Sequence, residues 1–210
     1  MAPLLKNALS DLEEVPMVQQ LVSTCGRVFR EMREYSEEDI QEVKALLDNL
    51  SAADVGLGER GEQQPQIEFV DVIDAPTFTI GIFLLPKGQA LPIHDHPGMT
   101  VLSKVLYGSL LVSRFDKEDY SRSTSPEDYS TPFPVKVLSY REVVDGDKGS
   151  MVLLPREKGN LHEFIANSDC AVIDILAPPY DFAGGRPCNY YKLVSEGGED
   201  VGAVGPSQVI

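Results

Sequence analysis

The spacing of apolar residues changes once along the chain, and the change divides it. From residue 17 to 34, Val18, Leu21, Val22, Cys25, Val28, Phe29 and Met32 recur at helical intervals. That stripe predicts an amphipathic helix. A second helix is predicted after Ser36, an N-cap residue, with Asp39 in the first turn where a carboxylate suits the helix dipole. Its apolar face is Ile40, Val43, Leu46, Leu47 and Leu50, and Ser51–Leu57 closes it. Residues 58–66, GERGEQQPQ, read as a polar linker.

Beyond Ile67 the period drops to two. Strands are predicted at Ile67–Ile73, Phe78–Leu85, Thr100–Tyr107, Ser109–Phe115, Val135–Tyr140, Ser150–Leu154, Leu161–Ala166 and Cys170–Leu176, with a final strand at Asn189–Val194. Pro86-Lys87-Gly88, Gly108, Asp145–Gly149 and Pro178-Pro179 punctuate them. Residues 116–133 are charged and Ser-rich and read as a long exposed loop, and the Gly-rich residues 196–210 as a flexible tail. Many short strands separated by turns indicate an all-β sandwich or barrel. The expected organisation is a helical segment over 1–57 packed outside a barrel formed by 67–195.

Composition narrows the function. The 210 residues suffice for one domain, and 42% hydrophobic content supports a core. A formal net charge of -15 leaves nothing to neutralise phosphates, so nucleic acid is not an expected partner. Cys25, Cys170 and Cys188 are too few and too irregular for a disulfide framework. Cys25 lies on the helical stripe and reads as a core residue. No run approaches a membrane-spanning length, and the first residues do not read as a signal or transit peptide. A cytoplasmic or nuclear location and a monomer are the expectations.

The chain holds 3 histidines, and their placement is the chemical signal. His94 and His96 stand at i and i+2 between Pro92 and Pro97. On a strand both would face one interior, with Asp95 turned away. His162 lies in a second predicted strand. Three converging imidazoles would make a metal site, and neutral imidazoles suit zinc, iron, copper or nickel. No histidine is left over to act as a general base, so the metal would be central to any chemistry. The alternative, histidines that only pack, fits a lone residue better than an HxH with a distant third.

The spacing of Gly88, His94, His96, Val101 and Gly108 resembles the first motif of the cupins, with Val101 where that motif usually carries a glutamate. Gly149, Pro155, Gly159 and His162 resemble the second, with two extra residues between proline and glycine. The resemblance implies a mainly β, cupin-type fold, a double-stranded β-helix or jelly-roll barrel, with the two helices outside. A longer ordered match is more specific. Phe83–Pro86, Leu91–Met99, Lys104–Gly108, Asn160-Leu161-His162, Asp174–Asp181, Gly185-Arg186 and Cys188–Tyr191 are similar to the family of cysteamine (2-aminoethanethiol) dioxygenase and plant cysteine oxidase.

That resemblance implies an iron(II) thiol dioxygenase, with His94, His96 and His162 as iron ligands. Dioxygen and an N-terminal cysteine of a protein or peptide, or cysteamine, would be its substrates, and a sulfinic acid its product. Asp174 matches a family aspartate near the substrate. On strand alternation it shares a face with Val172 and Leu176, so it needs a partner, and a substrate amine or an ordered water would serve. An end-of-strand hydrogen bond is the plainer alternative. Tyr180 would close the pocket or simply pack. Cys188 and Tyr190 match a Cys-x-Tyr pair that forms a thioether cross-link in some members. Two ordinary residues at the barrel mouth are the alternative. A zinc lyase or isomerase on the same barrel and a non-catalytic binding module are the competing functions. The first would work without dioxygen, and the second would tolerate loss of His162.

Overall fold

The computed structural model describes residues 15–57, 66–119 and 132–194 and the short strand 208–209. Among these residues two helices come first, α1 (Met17–Val28) and α2 (Glu37–Asn49), followed by a 3-10 turn at Ala53–Val55. Ser36 and Asp39 cap α2 reciprocally. The Ser36 hydroxyl accepts from Asp39 N, and the Asp39 carboxylate accepts from Ser36 N, both at 3.2 Å. Helix α1 ends at Val28 rather than near residue 34. Phe29 turns its ring inward against Tyr35, with centroids 4.8 Å apart, and beyond it residues 30–34 bury no side chain: four are charged, and Met32 of the predicted stripe is 67% exposed.

Ten strands follow among the described residues: β1 (Glu68–Asp74), β2 (Thr79–Leu85), β3 (Ala90–His94), β4 (Thr100–Tyr107), β5 (Ser109–Lys117), β6 (Pro134–Asp145), β7 (Met151–Leu153), β8 (Leu161–Ala166), β9 (Cys170–Ala177) and β10 (Gln208–Val209). They form two antiparallel five-stranded sheets, ordered β1-β2-β9-β4-β7 and β10-β6-β5-β8-β3. This is a mainly β sandwich with the helices outside, as the strand pattern predicts.

Alternation along the strands sorts the residues into two cores. One face of the first sheet carries Ile80, Ile82, Leu102, Ile173 and Ile175, which pack with Leu21, Cys25, Val43 and Leu47 of the helices. The other face carries Leu85, Val105 and Val172, which meet Leu110, Val112 and Phe164 of the second sheet. Each fully buried aliphatic side chain stabilises this arrangement by about 1.5–3 kcal/mol. Lys104, on the helix side of β4, is buried, and its ammonium donates to Asp48 O at 2.7 Å and Leu50 O at 2.6 Å. Those are carbonyls that the end of α2 leaves unpaired, so the lysine ties helix to sheet.

Several boundaries differ from the sequence expectation. Strand β6 continues past Tyr140 to Asp145, because Arg141 takes a left-handed φ of 49° at an irregularity and pairing with β5 resumes beyond it. Asn189–Val194 is not a strand, although Tyr190 forms one bridge with His94. Asp116 and Lys117 belong to β5, and most of the expected loop, residues 120–131, lies outside the described residues. So does most of the tail, but Gln208–Val209 pairs with β6. Among the described residues no helix is long and apolar enough to cross a membrane.

Candidate metal centre

His94, His96 and His162 come together in the sandwich. Their candidate ligand atoms lie within 4.8 Å of one another, and the ring centroids stand 4.4 to 4.9 Å apart. His94 is the last residue of β3 and pairs directly with His162 of β8. The register slips between Leu91 and His94, where Pro92 has no N–H to donate. His96 therefore lies just past the strand end, not along the same strand face as simple alternation predicts. A side-chain amide holds it instead. Asn160 Nδ2 donates to His96 O at 2.9 Å, and His96 N donates to Asn160 Oδ1 at 3.3 Å.

Hydrogen bonds select the tautomers. His94 Nδ1 is 2.8 Å from Pro92 O, an acceptor only, so Nδ1 carries the proton and Nε2 keeps a lone pair. The Tyr180 hydroxyl is 2.8 Å from Asp95 O and 2.7 Å from His96 Nδ1. Its single proton goes to the carbonyl, so it accepts from His96 Nδ1–H, and His96 Nε2 keeps its lone pair. His96 Nε2 and His162 Nδ1 are buried with no hydrogen-bond partner. Unpartnered buried nitrogens are costly, and a metal ion is the group such a triad accommodates. Burial lowers the pKa of His94, and burial and the neighbouring imidazoles hold His96 and His162 well below the ordinary value. All three are thus neutral and ligand-competent at pH 7. The group contains no carboxylate, and Val101 lies fully buried on β4.

Of the remaining predicted residues, Tyr180 and Tyr190 lie beside this group, with the Tyr180 ring centroid 5.4 Å from that of His96. Asp174 sits on β9, facing inward with Val172, and is 5% exposed. Burial pushes its carboxyl up to about 6, with the Ser103 hydroxyl beside it working the other way. Tyr180 packs with Met99, Val101, Leu153 and Leu176. Cys188 lies beside both Tyr180 and Tyr190. Burial raises its thiol pKa, and the two hydroxyls partly offset this. Tyr190 is mostly exposed, its ring centroid 6.1 Å from that of His94.

Sequence reasoning missed the residues that hold these groups in place. Asp95 does turn away from the imidazoles, but into a buried network. Its carboxylate accepts from Asn189 N and Asn189 Nδ2 at 3.1 Å and from the Tyr191 hydroxyl at 2.7 Å. Lys117 Nζ lies 4.0 Å from the same carboxylate, above the Phe133 and Tyr191 rings. Ser103 was equally silent. The available signal was a polar residue at an inward position of the apolar run Thr100–Tyr107.

The family model described as PCO_ADO matches residues 36–204. Plant cysteine oxidase 1 of Arabidopsis thaliana is 32% identical over 207 residues, covering 89% of this chain and 69% of that protein. The 2-aminoethanethiol dioxygenase of Mus musculus is 34% identical over 178 residues, covering 75% of this chain and 69% of that protein. The chain thus spans about two thirds of the length of these curated relatives. An RmlC-like cupin protein from Desulfovibrio desulfuricans superposes with a TM-score of 0.35 at 21% identity, over 59% of this chain and 94% of that one.

Proposed function

The chain belongs to the PCO_ADO family, and from that membership we propose that it is a non-haem iron(II) thiol dioxygenase. The overall reaction adds both atoms of dioxygen to a thiol, RSH + O2 → RSO2H. The substrate class is an aminothiol, either the N-terminal cysteine of a protein or peptide or cysteamine. The observation that carries the reading is the donor set: three neutral imidazoles and no carboxylate.

Iron(II) held by His94, His96 and His162 would supply a Lewis-acidic centre with positions open to a thiol and to dioxygen. The protein does the rest. The three imidazoles add no negative charge, so the site keeps the positive character that favours a thiolate. Pro92 O and Tyr180 fix the His94 and His96 tautomers and so aim both Nε2 atoms at one point. Met99, Val101, Leu153 and Leu176 exclude water around Tyr180. Asp174 lines the pocket on the substrate side. Cys188 and Tyr190 stand at its rim, where a thioether between them would stiffen the wall. The barrel, expected over 67–195, carries the chemistry in this reading, and the two helices α1 and α2 cover the outer face of one sheet.

With a protein N-terminus as substrate, oxidation would mark that protein for the N-degron route and couple its lifetime to oxygen. With cysteamine the role would be metabolic. The test is anaerobic purification, metal analysis and oxygen uptake, with mass spectrometry of an N-terminal-cysteine peptide, cysteamine and free cysteine. Gain of two oxygen atoms by the peptide or by cysteamine, lost in His162→Ala, is the expected result. No oxygen uptake by fully iron-loaded protein would overturn the proposal.

A further inference from the structure

Three consecutive backbone amides converge on one carboxylate in the turn that leads into β8. Asp116 Oδ1, from β5, accepts from Gly159 N at 2.8 Å and from Asn160 N at 3.3 Å, and its Oδ2 accepts from Lys158 N at 3.1 Å. Successive N–H groups in such a turn form a concavity that suits an anion. Lys158 has φ 64° and Gly159 φ 89°. A lysine keeps that left-handed conformation only where its surroundings hold it, and the Asp116 carboxylate supplies the hold. Gly159 also closes on Arg114, where an added Cβ would stand 2.8 Å from that side chain. Arg114 in turn pairs directly with His162.

The turn ends on Asn160, which is buried and joins two parts of the site. Its side-chain amide donates to His96 O at 2.9 Å and Leu154 O at 3.0 Å, and accepts from His96 N at 3.3 Å. The three histidines are therefore not held alike. His94 pairs with His162 across the β3–β8 ladder, so sheet register keeps those two in place. His96 lies past the end of β3, and the Asn160 amide stands in for the ladder that it lacks. Met99 N donates to the same His96 carbonyl at 3.1 Å, but from within the same turn, so it does not tie that turn to β8.

We propose that Asp116 is a positioning residue of the metal centre. Its carboxylate fixes the 158–160 turn, the turn aims the Asn160 amide, and the amide sets His96 against the His94/His162 pair. Asp116 itself bonds only to the turn, so it acts on the metal through His96. The proposal rests on the three histidines holding a metal, and not on the reaction that the metal supports.

The experiment is anaerobic titration of the metal-free full chain with cobalt(II), read by visible absorption. The wild type, Asp116→Asn, His96→Ala and the double variant are compared. Asparagine keeps the size of aspartate, loses the charge and turns donors toward the three amides. Loss of a group that orients a ligand predicts cobalt binding weaker by about tenfold in Asp116→Asn. The visible bands of bound cobalt should change with it, as His96 shifts in the coordination shell. In the His96→Ala background the same substitution should change affinity by less than about twofold, as for independent sites. Affinity is read on folded protein. A residue that only stabilises the fold would lower the melting temperature and leave cobalt affinity unchanged, and that result overturns the proposal. An equal loss in both backgrounds means that Asp116 acts through the His94/His162 pair, which overturns it too. If Asp116→Asn does not fold, Asp116→Glu takes its place, with a several-fold loss expected. It keeps the charge but is one methylene longer, so it displaces the turn. A wild type that binds no cobalt removes the metal centre and the proposal with it. Oxygen plays no part in the measurement, so failure of the dioxygenase reading alone leaves the result standing.

Discussion

Asp95→Asn tests whether the centre is braced from behind. The aspartate lies between two of the histidines, and its carboxylate accepts from Asn189 N, Asn189 Nδ2 and the Tyr191 hydroxyl. Asparagine keeps the size but removes the charge and replaces one acceptor with a donor facing other donors. Hydrogen bonds to a charged group are worth about 1.5–3 kcal/mol each, and breaking a buried ion pair by removing one partner costs about 3–5 kcal/mol. Lys117 is 4.0 Å away and keeps its two aromatic neighbours, so only part of that penalty applies. A loss of about 2–4 kcal/mol is expected, a large share of a typical total of about 5–15 kcal/mol.

Urea unfolding of the metal-free variant reads the global loss. Amide exchange reads the local one, since Tyr191 N donates to Ile93 O at 2.8 Å and Asp95 N to Asn189 O at 3.1 Å. Both amides should exchange faster as the 189–191 segment lifts from the histidines. A loss below about 1 kcal/mol with unchanged exchange at both amides would refute the reasoning.

Three further outcomes follow from the same contacts. The Asp174 carboxyl titrates near 6 when folded against 3.8 for the free group, so the native state binds the extra proton between those values and loses stability as pH rises through them. Asp174→Asn should melt above wild type by up to about 3 kcal/mol at pH 7–8, with the difference shrinking toward pH 4 in metal-free melts. Tyr180→Phe removes the acceptor that orients His96 and should weaken metal binding by about 10–100-fold in a chelator competition. Gly108→Ala should cost about 2–4 kcal/mol in thermal melts, because Gly108 has φ 74° and an added Cβ would strike the Asp169 carbonyl and Cys170.

The fold class was legible because one period gives way to another. The helical stripe through Leu21, Cys25 and Val28 and the alternation in Thr100–Tyr107 each report which side is buried, whatever lies opposite. The site was legible through scarcity, since three histidines in two separated motifs leave few ways to pair them. Boundaries were less so. The end of α1 depends on Phe29 meeting Tyr35, and β6 passes Arg141 only because β5 resumes its pairing beyond the irregularity.

The sequence by itself therefore determined the two-sheet class, the helical cover, the three histidines and the inward face of Asp174. All of these follow from local periodicity or from residue identity. Only the tertiary structure decided that Asp95 supports the 189–191 segment, that Tyr180 sets the tautomer of His96, and that Ser103 and Asp174 stand side by side on paired strands. Those relations join residues about seventy to ninety-six positions apart through hydrogen bonds and sheet register. Neither leaves a mark in the neighbouring sequence, because a buried polar group takes its meaning from the partner that folding brings to it.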